Sequence, residues 1–405
     1  MTKHAKHVEN VATAMSIKFN SYVYDMKQAG EDVIVLSLGE AFFDIPLFPF
    51  DTLPFPELYH YTHSRGITGL RRKLAAYYHG QYGVPVDPAT EIIITAGSKI
   101  ALHMCFMALL DPGDEVVVHE PAWVSYSEQI RLCHGNPVMV PYDVPVEGLA
   151  EWITPKTRAL VLCSPQNPTG RVYTRDELHS LHRLAEERGI YLLADEAYSD
   201  FLVDEEFVSC GVGDPEKRHT IICNSMSKNY GMSGWRIGYV VSNPGLIAQV
   251  LKINQHLITC PATILEQYLE RHFDDILEIT KPQIGEVVKK RAHLGEYMKE
   301  LGLDYMEGTA TFYFFVRISD SGLSSEDFCA RLLAERKVCV VPGSGYGRSC
   351  DGFVRVSVGT ESLERTRRGI RAIREMIDAA RAGAGPVSPA TVVPFSAIAA
   401  IPSPV

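Results

Sequence analysis

Chemically capable side chains recur just after short apolar runs. Ala159-Leu-Val-Leu-Cys163 is followed by Ser164-Pro-Gln-Asn-Pro-Thr-Gly170, and Ile190-Tyr-Leu-Leu-Ala194 by Asp195-Glu-Ala-Tyr198. Thr220-Ile-Ile-Cys223 is followed by Asn224-Ser-Met-Ser-Lys228 and then by Gly231-Met-Ser-Gly-Trp-Arg236-Ile-Gly238. Each has a plain reading of its own. Asn-Pro-Thr-Gly is a turn signal. Asp195 and Glu196 suit the positive end of a helix dipole. A lone lysine is almost always a solvated surface group. Gathered at one edge of one sheet, they read as a site instead. A lysine in a Ser- and Gly-rich turn, with an arginine downstream, is where a covalent amine and a phosphate could meet.

For these residues to meet, the runs that precede them must lie side by side. From about residue 90 the pattern alternates. Glu91-Ile-Ile-Ile-Thr95 reads as a strand, and Ser98 to Leu110 as a helix ended by Asp111-Pro-Gly-Asp114. Glu115-Val-Val-Val-His119 reads as a strand and Trp123 to His134 as a helix. Thr174-Arg-Asp-Glu177 is a capping box that opens a helix to about Glu187. Strands separated by helices imply an α/β fold with a mostly parallel sheet flanked by helices, whose ligands bind at the carboxyl ends of the strands. Beyond Arg236 the texture changes. A helical stretch runs from about Gly245 to Leu301, with a break expected at Lys281-Pro282. Then come Thr311-Phe-Tyr-Phe-Phe-Val-Arg317, a helix from Ser325 to Arg336, Val338-Cys-Val-Val341, Phe353-Val-Arg-Val-Ser357 and a helix from Leu363 to Arg381. This predicts a smaller α+β domain after the large one.

The whole pattern resembles the pyridoxal-phosphate enzymes of aspartate-aminotransferase fold, the class I/II aminotransferases (fold type I). Ser225-Met-Ser-Lys228-Asn-Tyr-Gly-Met-Ser-Gly-Trp-Arg236-Ile-Gly238 matches the lysine signature of that family. Six more landmarks come in the family's order: Tyr61, Gly97-Ser98-Lys99, Trp123 in Pro121-Ala-Trp-Val-Ser-Tyr126, Asn167-Pro-Thr-Gly170, Asp195-Glu-Ala-Tyr198, and Arg355 in Val354-Arg-Val-Ser357. The resemblance implies the cofactor pyridoxal 5'-phosphate. It makes Lys228 the Schiff-base lysine and proton carrier. Asp195 would keep the ring nitrogen protonated, Asn167 and Tyr198 would bond the ring's phenolic oxygen, and Trp123 would stack on the ring. The helix start at Gly97, Ser98 and Lys99, with Ser225 and Arg236, would hold the phosphate. Arg355, helped by the backbone at Gly39, would hold the substrate α-carboxylate alongside Asn167. Tyr61 would reach the partner's phosphate, which implies a homodimer. The implied division is an N-terminal arm that joins the small domain (1–45), a large domain (46–285), a small domain (286–384) and a tail (385–405). Five prolines (Pro386, Pro389, Pro394, Pro402 and Pro404) and no charge predict a disordered or extended tail rather than a helix.

The segment where the family reads Gly-Glu-Pro-Asp is here Gly39-Glu-Ala-Phe-Phe-Asp44, which predicts an altered substrate entrance. No residue matches the arginine that binds a distal carboxylate in aspartate aminotransferases, so a dicarboxylate substrate has no support from the sequence. The expected reaction moves an α-amino group between an amino acid and a 2-oxo acid. The alternative is elimination, replacement or ring closure on the same fold, as in aminocyclopropane-carboxylate synthases. A non-enzymatic relative is disfavoured by the intact Lys228. His63 and Arg65, in the loop of Tyr61, could face a partner's site or be plain loop residues. His60 and His63 make only a weak metal pair, and no metal is expected. Gly343-Ser-Gly-Tyr-Gly347 lacks dinucleotide-loop spacing and reads as a turn.

Composition bounds the rest. The 405 residues are 46 % apolar and 22 % charged, as in ordinary globular proteins with a large core. With 39 Lys and Arg against 49 Asp and Glu, the net charge of −10 argues against nucleic acid or an anionic membrane as partner. No apolar stretch reaches the ~18 residues of a membrane span. Met1 to Asn20 has no secretory apolar region. Nine scattered cysteines without a Cys-x-x-Cys pair predict buried, reduced thiols. A cytoplasmic protein is therefore expected.

Overall fold

The computed structural model describes residues 4–202 and 206–382. The expectation for the tail over 385–405 lies outside them. The described strands are β1 (Ile34–Val35), β2 (Ile92–Thr95), β3 (Glu115–His119), β4 (Asn136–Val140), β5 (Thr157–Cys163), β6 (Tyr191–Asp195), β7 (Thr220–Ser225), β8 (Gly238–Val241), β9 (Tyr313–Arg317), β10 (Val338–Cys339), β11 (Val341–Pro342) and β12 (Phe353–Ser357).

Seven strands form the large sheet, in the order β2-β8-β7-β6-β5-β3-β4. All neighbours are parallel except β8, which runs antiparallel to both β7 and β2. β2, β6 and β7 are almost wholly buried, as expected where helices cover both faces of a parallel sheet. Register aligns their carboxyl ends: Cys163 lies opposite Asp195, and Asp195 opposite Cys223. The helices Ser98–Leu109 and Pro244–Leu257 pack on one face, with Ile93, Phe106, Val118, Leu193 and Val240 in the shared core. The helix Arg175–Arg188 opens on the expected capping box: Glu177 N–H donates to the Thr174 hydroxyl at 3.2 Å, and Thr174 N–H to the Glu177 carboxylate at 2.9 Å.

A second core gathers around the antiparallel sheet β11-β12-β9. It draws in the N-terminal helix Met15–Gln28 through Phe19, Val23 and Met26, and the C-terminal helix Leu363–Ala382 through Ile370, Ile373 and Ile377. β1 pairs in parallel with β10. The helix Met15–Gln28 and β1 are therefore built into the elements that follow residue 312.

Three expectations are corrected. The stretch 245–301 is interrupted not at Pro282 but at 258–262, between the helices Pro244–Leu257 and Thr263–Glu300. Pro282 is tolerated because it lies on the exposed face, with exposed Glu278 one turn earlier, so water can take the place of the missing N–H. The non-helical residue inside the second helix is His272. The run 338–341 is not one strand: β10 and β11 belong to different sheets, with the chain crossing at Val340. The helix expected from Trp123 starts only at Tyr126. β4 and β8 carry no strong apolar signal at their starts, where Pro137 and Gly238 sit, and the sequence pattern passes over both.

Candidate active site

The carboxyl ends of β5, β6 and β7 open into a cavity of about 440 Å³. Gly39, Ser98, Lys99, Trp123, Asn167, Asp195, Tyr198, Ser225, Lys228, Arg236 and Arg355 all line it. Gly97 stands one residue behind the wall. Tyr61, the other expected site residue outside the lining, is 85 % exposed.

One corner is built for an anion. The helix Ser98–Leu109 begins there, and Gly97 supplies no side-chain cap to its first amides. Antiparallel β8 brings Gly238 opposite both Thr95 and Ser225, so three chain segments converge. A Cβ at Gly238 would lie 2.5 Å from the Ser98 nitrogen, and one at Gly97 2.4 Å from Arg236 Nη2. Close approach of backbone requires glycine at 238, and a positive φ of 91° favours it at 97. Arg236 adopts a left-handed backbone (φ 57°), and its Nη1 donates to the Ser233 carbonyl at 2.6 Å. The Ser225 hydroxyl accepts from the Ser227 amide at 3.2 Å, which leaves its own proton to give.

A second corner carries opposed charges. Asp195 is buried. Its Oδ2 accepts from the Tyr126 hydroxyl at 2.7 Å and its Oδ1 from the Ala197 amide at 3.2 Å. Burial pushes the carboxyl up from its ordinary value, against those hydrogen bonds and the charge of Lys228. Lys228 follows β7 on a turn, and its Nζ donates to the Gly39 carbonyl. Loss of hydration on burial pushes the ammonium down to about 8. Arg355 and Arg236 add to that effect, while Glu40 and Asp195 oppose it. The indole of Trp123 faces the same space, with Lys99 Nζ 5.1 Å from its centroid.

The third side holds Arg355, only 3 % exposed. Its Nη2 donates to the Ser37 carbonyl at 2.7 Å and its Nη1 to Asn167 Oδ1 at 3.3 Å. Among the described residues its buried Nε meets no carboxylate, and the ring of Tyr346 lies 5.5 Å from the guanidinium carbon. Neither described bond goes to a carboxylate. A buried guanidinium left this way is costly alone and well placed for a carboxylate brought from outside.

The sequence profile of "Aminotransferase class I and II" matches residues 16–373. The chain is a member of that family. The aromatic-amino-acid aminotransferase 2 of Thermococcus litoralis is 33 % identical over 361 residues, 84 % of this chain and 92 % of the relative. The aspartate aminotransferase of Thermotoga maritima is 33 % identical over 392 residues, 92 % and 99 % of the two chains. The solved structure of Thermus thermophilus aspartate aminotransferase with maleate superposes with a TM-score of 0.84 at 31 % identity, over 93 % of this chain and 100 % of that one. The expected α/β fold type I and aminotransferase activity are thereby established. The protein is an enzyme of a pyridoxal-phosphate-dependent transferase family.

This aminotransferase also has site residues that motif reasoning passed over. Tyr126 holds Asp195; it lies inside the quoted Trp123 segment but carried no assigned role. Tyr313 and Cys163 line the cavity from apolar runs, where nothing marks them as different from their neighbours. Glu40 accepts from the Ser233 hydroxyl at 2.8 Å, and Ser16 and Asn20 reach in from the N-terminal helix. His63 and Arg65 border a separate cleft with Arg71 and Arg72. Among the described residues no group of three or more His, Cys, Asp or Glu side chains could hold a metal, and no helix is long and apolar enough to cross a membrane. The run Gly343–Tyr346 is one short helical turn, as expected of a turn.

A depressed lysine gives a direct test. Reductive trapping with a small water-soluble aldehyde, read by peptide mass spectrometry, should modify Lys228 with a pH midpoint near 8 rather than at the ordinary 10.5. Reaction should fade as pH falls through that midpoint, because the ammonium is not nucleophilic. A midpoint at the ordinary value would overturn the account of a crowded amine.

Proposed function

We propose that this aminotransferase binds pyridoxal 5'-phosphate through Lys228 and exchanges the amino group of an α-amino acid with a 2-oxo acid, as a homodimer. The observation that carries this reading is the meeting, in one cavity, of an amine, a buried carboxylate, an anion corner and a buried arginine that, among the described residues, bonds a carbonyl and an amide oxygen rather than a carboxylate. The residues fit the cofactor. Gly97, Ser98, Lys99, Ser225 and Arg236 suit its phosphate, Asp195 its ring nitrogen, Asn167 and Tyr198 its phenolic oxygen, and Trp123 its flat face. Bound pyridoxal phosphate supplies an electron-withdrawing ring that stabilises charge left on the α-carbon when a proton departs.

The chain's own residues do the remainder. The Lys228 amine is close to half neutral near pH 8, so it can accept a proton at the substrate α-carbon and return it. Asp195 is pinned by Tyr126 and Ala197 and offers a fixed negative charge in a water-poor place. Arg355 holds the α-carboxylate, and the Gly39 carbonyl lies beside the amine. The names of the relatives span aromatic amino acids and aspartate. The polar walls at Ser16, Asn20, Ser37 and Glu40 support a pocket with its own side-chain preference.

The homodimer is supported by exposed apolar groups clustered in sequence: Phe42 at 64 %, Leu47 at 76 %, Tyr59 at 78 % and Tyr61 at 85 %. Large apolar side chains left exposed in one stretch of the chain favour a partner that covers them. Tyr61 would reach the partner's cavity. The division of the chain near residues 45 and 285 is supported by the packing of the N-terminal helix on the C-terminal sheet. A reducing cytoplasmic setting is supported by the nine free cysteines.

Three outcomes are expected. The protein loaded with the cofactor is yellow, Lys228→Ala abolishes the visible band, and an amino acid added alone converts it in a single turnover that stops. A colourless wild type, or repeated turnover without a 2-oxo acid, would overturn the reading. Arg355→Leu lowers kcat/KM about a hundredfold or more, mostly through KM, as loss of charge-assisted hydrogen bonds predicts. An unchanged KM would remove Arg355 from the carboxylate. Analytical ultracentrifugation at micromolar protein gives twice the chain mass, and a fully active monomer would exclude the cross-subunit role of Tyr61.

A further inference from the structure

Tyr313 opens β9 inside an apolar run, yet its hydroxyl reaches the cavity. The side chain is fully buried. The hydroxyl lies 2.9 Å from the Tyr198 hydroxyl, and the ring centroid lies 4.5 Å from the Arg355 guanidinium carbon. Its position is heavily constrained. Arg291 donates to the Tyr313 carbonyl at 2.8 Å and to the Thr169 carbonyl at 3.0 Å, stitching the start of β9 to the loop of Asn167. The Tyr313 amide donates to the Thr311 hydroxyl at 3.2 Å. Thr311 itself is held in a left-handed conformation (φ 66°), which a β-branched residue adopts only when its surroundings impose it.

Counting donors and acceptors shows what this placement does. A phenol has one proton to give and two positions at which to accept. Arg355 donates to Asn167 Oδ1, which fixes the amide so that its Nδ2 donates to the Tyr198 oxygen at 3.4 Å. One acceptor position of Tyr198 is thereby filled. A proton from Tyr313 fills the other and leaves the proton of Tyr198 aimed at the cavity. With the opposite sense, Tyr198 would spend its proton on the wall and show the cavity only lone pairs. Arg355, Asn167, Tyr198 and Tyr313 close into a ring of contacts.

We propose that Tyr313 is a positioning residue: by donating to Tyr198 beneath Arg355, it commits the Tyr198 proton to the phenolic oxygen of the bound cofactor and ties that oxygen to the carboxylate-binding arginine. The inference rests on the roles proposed above for Tyr198 and Arg355.

The test is a pH titration of the visible band of the cofactor-loaded protein. Negative charge gathers on the phenolic oxygen when the lysine-linked nitrogen loses its proton, so a donor to that oxygen holds the midpoint low. Tyr198→Phe should raise the midpoint. Tyr313→Phe, which keeps the ring over Arg355, should raise it by a smaller step of about half a unit, the size expected of a hydrogen bond acting through a second one. Added to Tyr198→Phe, the Tyr313 substitution should move nothing. A ring-fluorinated tyrosine at 313, a stronger donor that keeps the hydroxyl, should shift the midpoint the other way, and it serves if Tyr313→Phe folds poorly. A wild-type midpoint in Tyr313→Phe, or a step that persists beside Tyr198→Phe, would overturn the inference. Failure of the underlying reading looks different: the wild type then shows no visible band, or Lys228→Ala keeps it, and the role of Tyr313 falls with it.

Discussion

The reversal of one strand governs the site. β8 enters the large sheet antiparallel between β7 and β2, which lays Gly238 across from both Ser225 and Thr95. That register brings the helix start at Ser98, the turn after Ser225 and the arginine at 236 to one point. No side chain fits at the crossing, since a Cβ at Gly238 would meet the Ser98 nitrogen. Were β8 parallel to its neighbours, the anion corner would be divided between opposite ends of the sheet. The lysine, the carboxylate and the phenol of Tyr198 take their places from the neighbouring strand ends.

Charge then sets the character of the cavity. Lys99, Arg236, Arg355 and Lys228 share the space with Asp195 and Glu40. Burial in a place poor in water depresses Lys228 first of all; Arg355 and Arg236 add to that effect, and Glu40 and Asp195 oppose it. The same burial acts in the opposite sense on Asp195 and raises its carboxyl, while its two hydrogen bonds and the charge of Lys228 oppose that rise. An acid and a base with ordinary values far apart are thus drawn toward each other by one environment.

Much of this was legible in the sequence because the chemistry sits where periodicity breaks. Lys228, Asp195 and Asn167 each follow an apolar run, and strand-end logic finds them without any structure. Tyr126 and Tyr313 were not legible in that way, because an aromatic residue among apolar neighbours looks the same whether it packs or donates a proton. Pro282 is the opposite case: its type predicts a break, yet its exposure on the outer face lets the helix continue. β4 and β8 escaped notice because their starts carry Pro137 and Gly238, residues chosen by local geometry rather than by burial.

The pairing of β1 with β10 has a consequence for how the polypeptide is made. Ile34 must wait for Val338, roughly three hundred residues later, before its backbone finds a neighbour. On the ribosome the large sheet can close first, whereas the amino-terminal helix that lines the cavity docks only when synthesis is nearly finished. A truncated chain therefore cannot present a complete pocket around its nucleophilic amine, and chemical competence arrives last by topology alone.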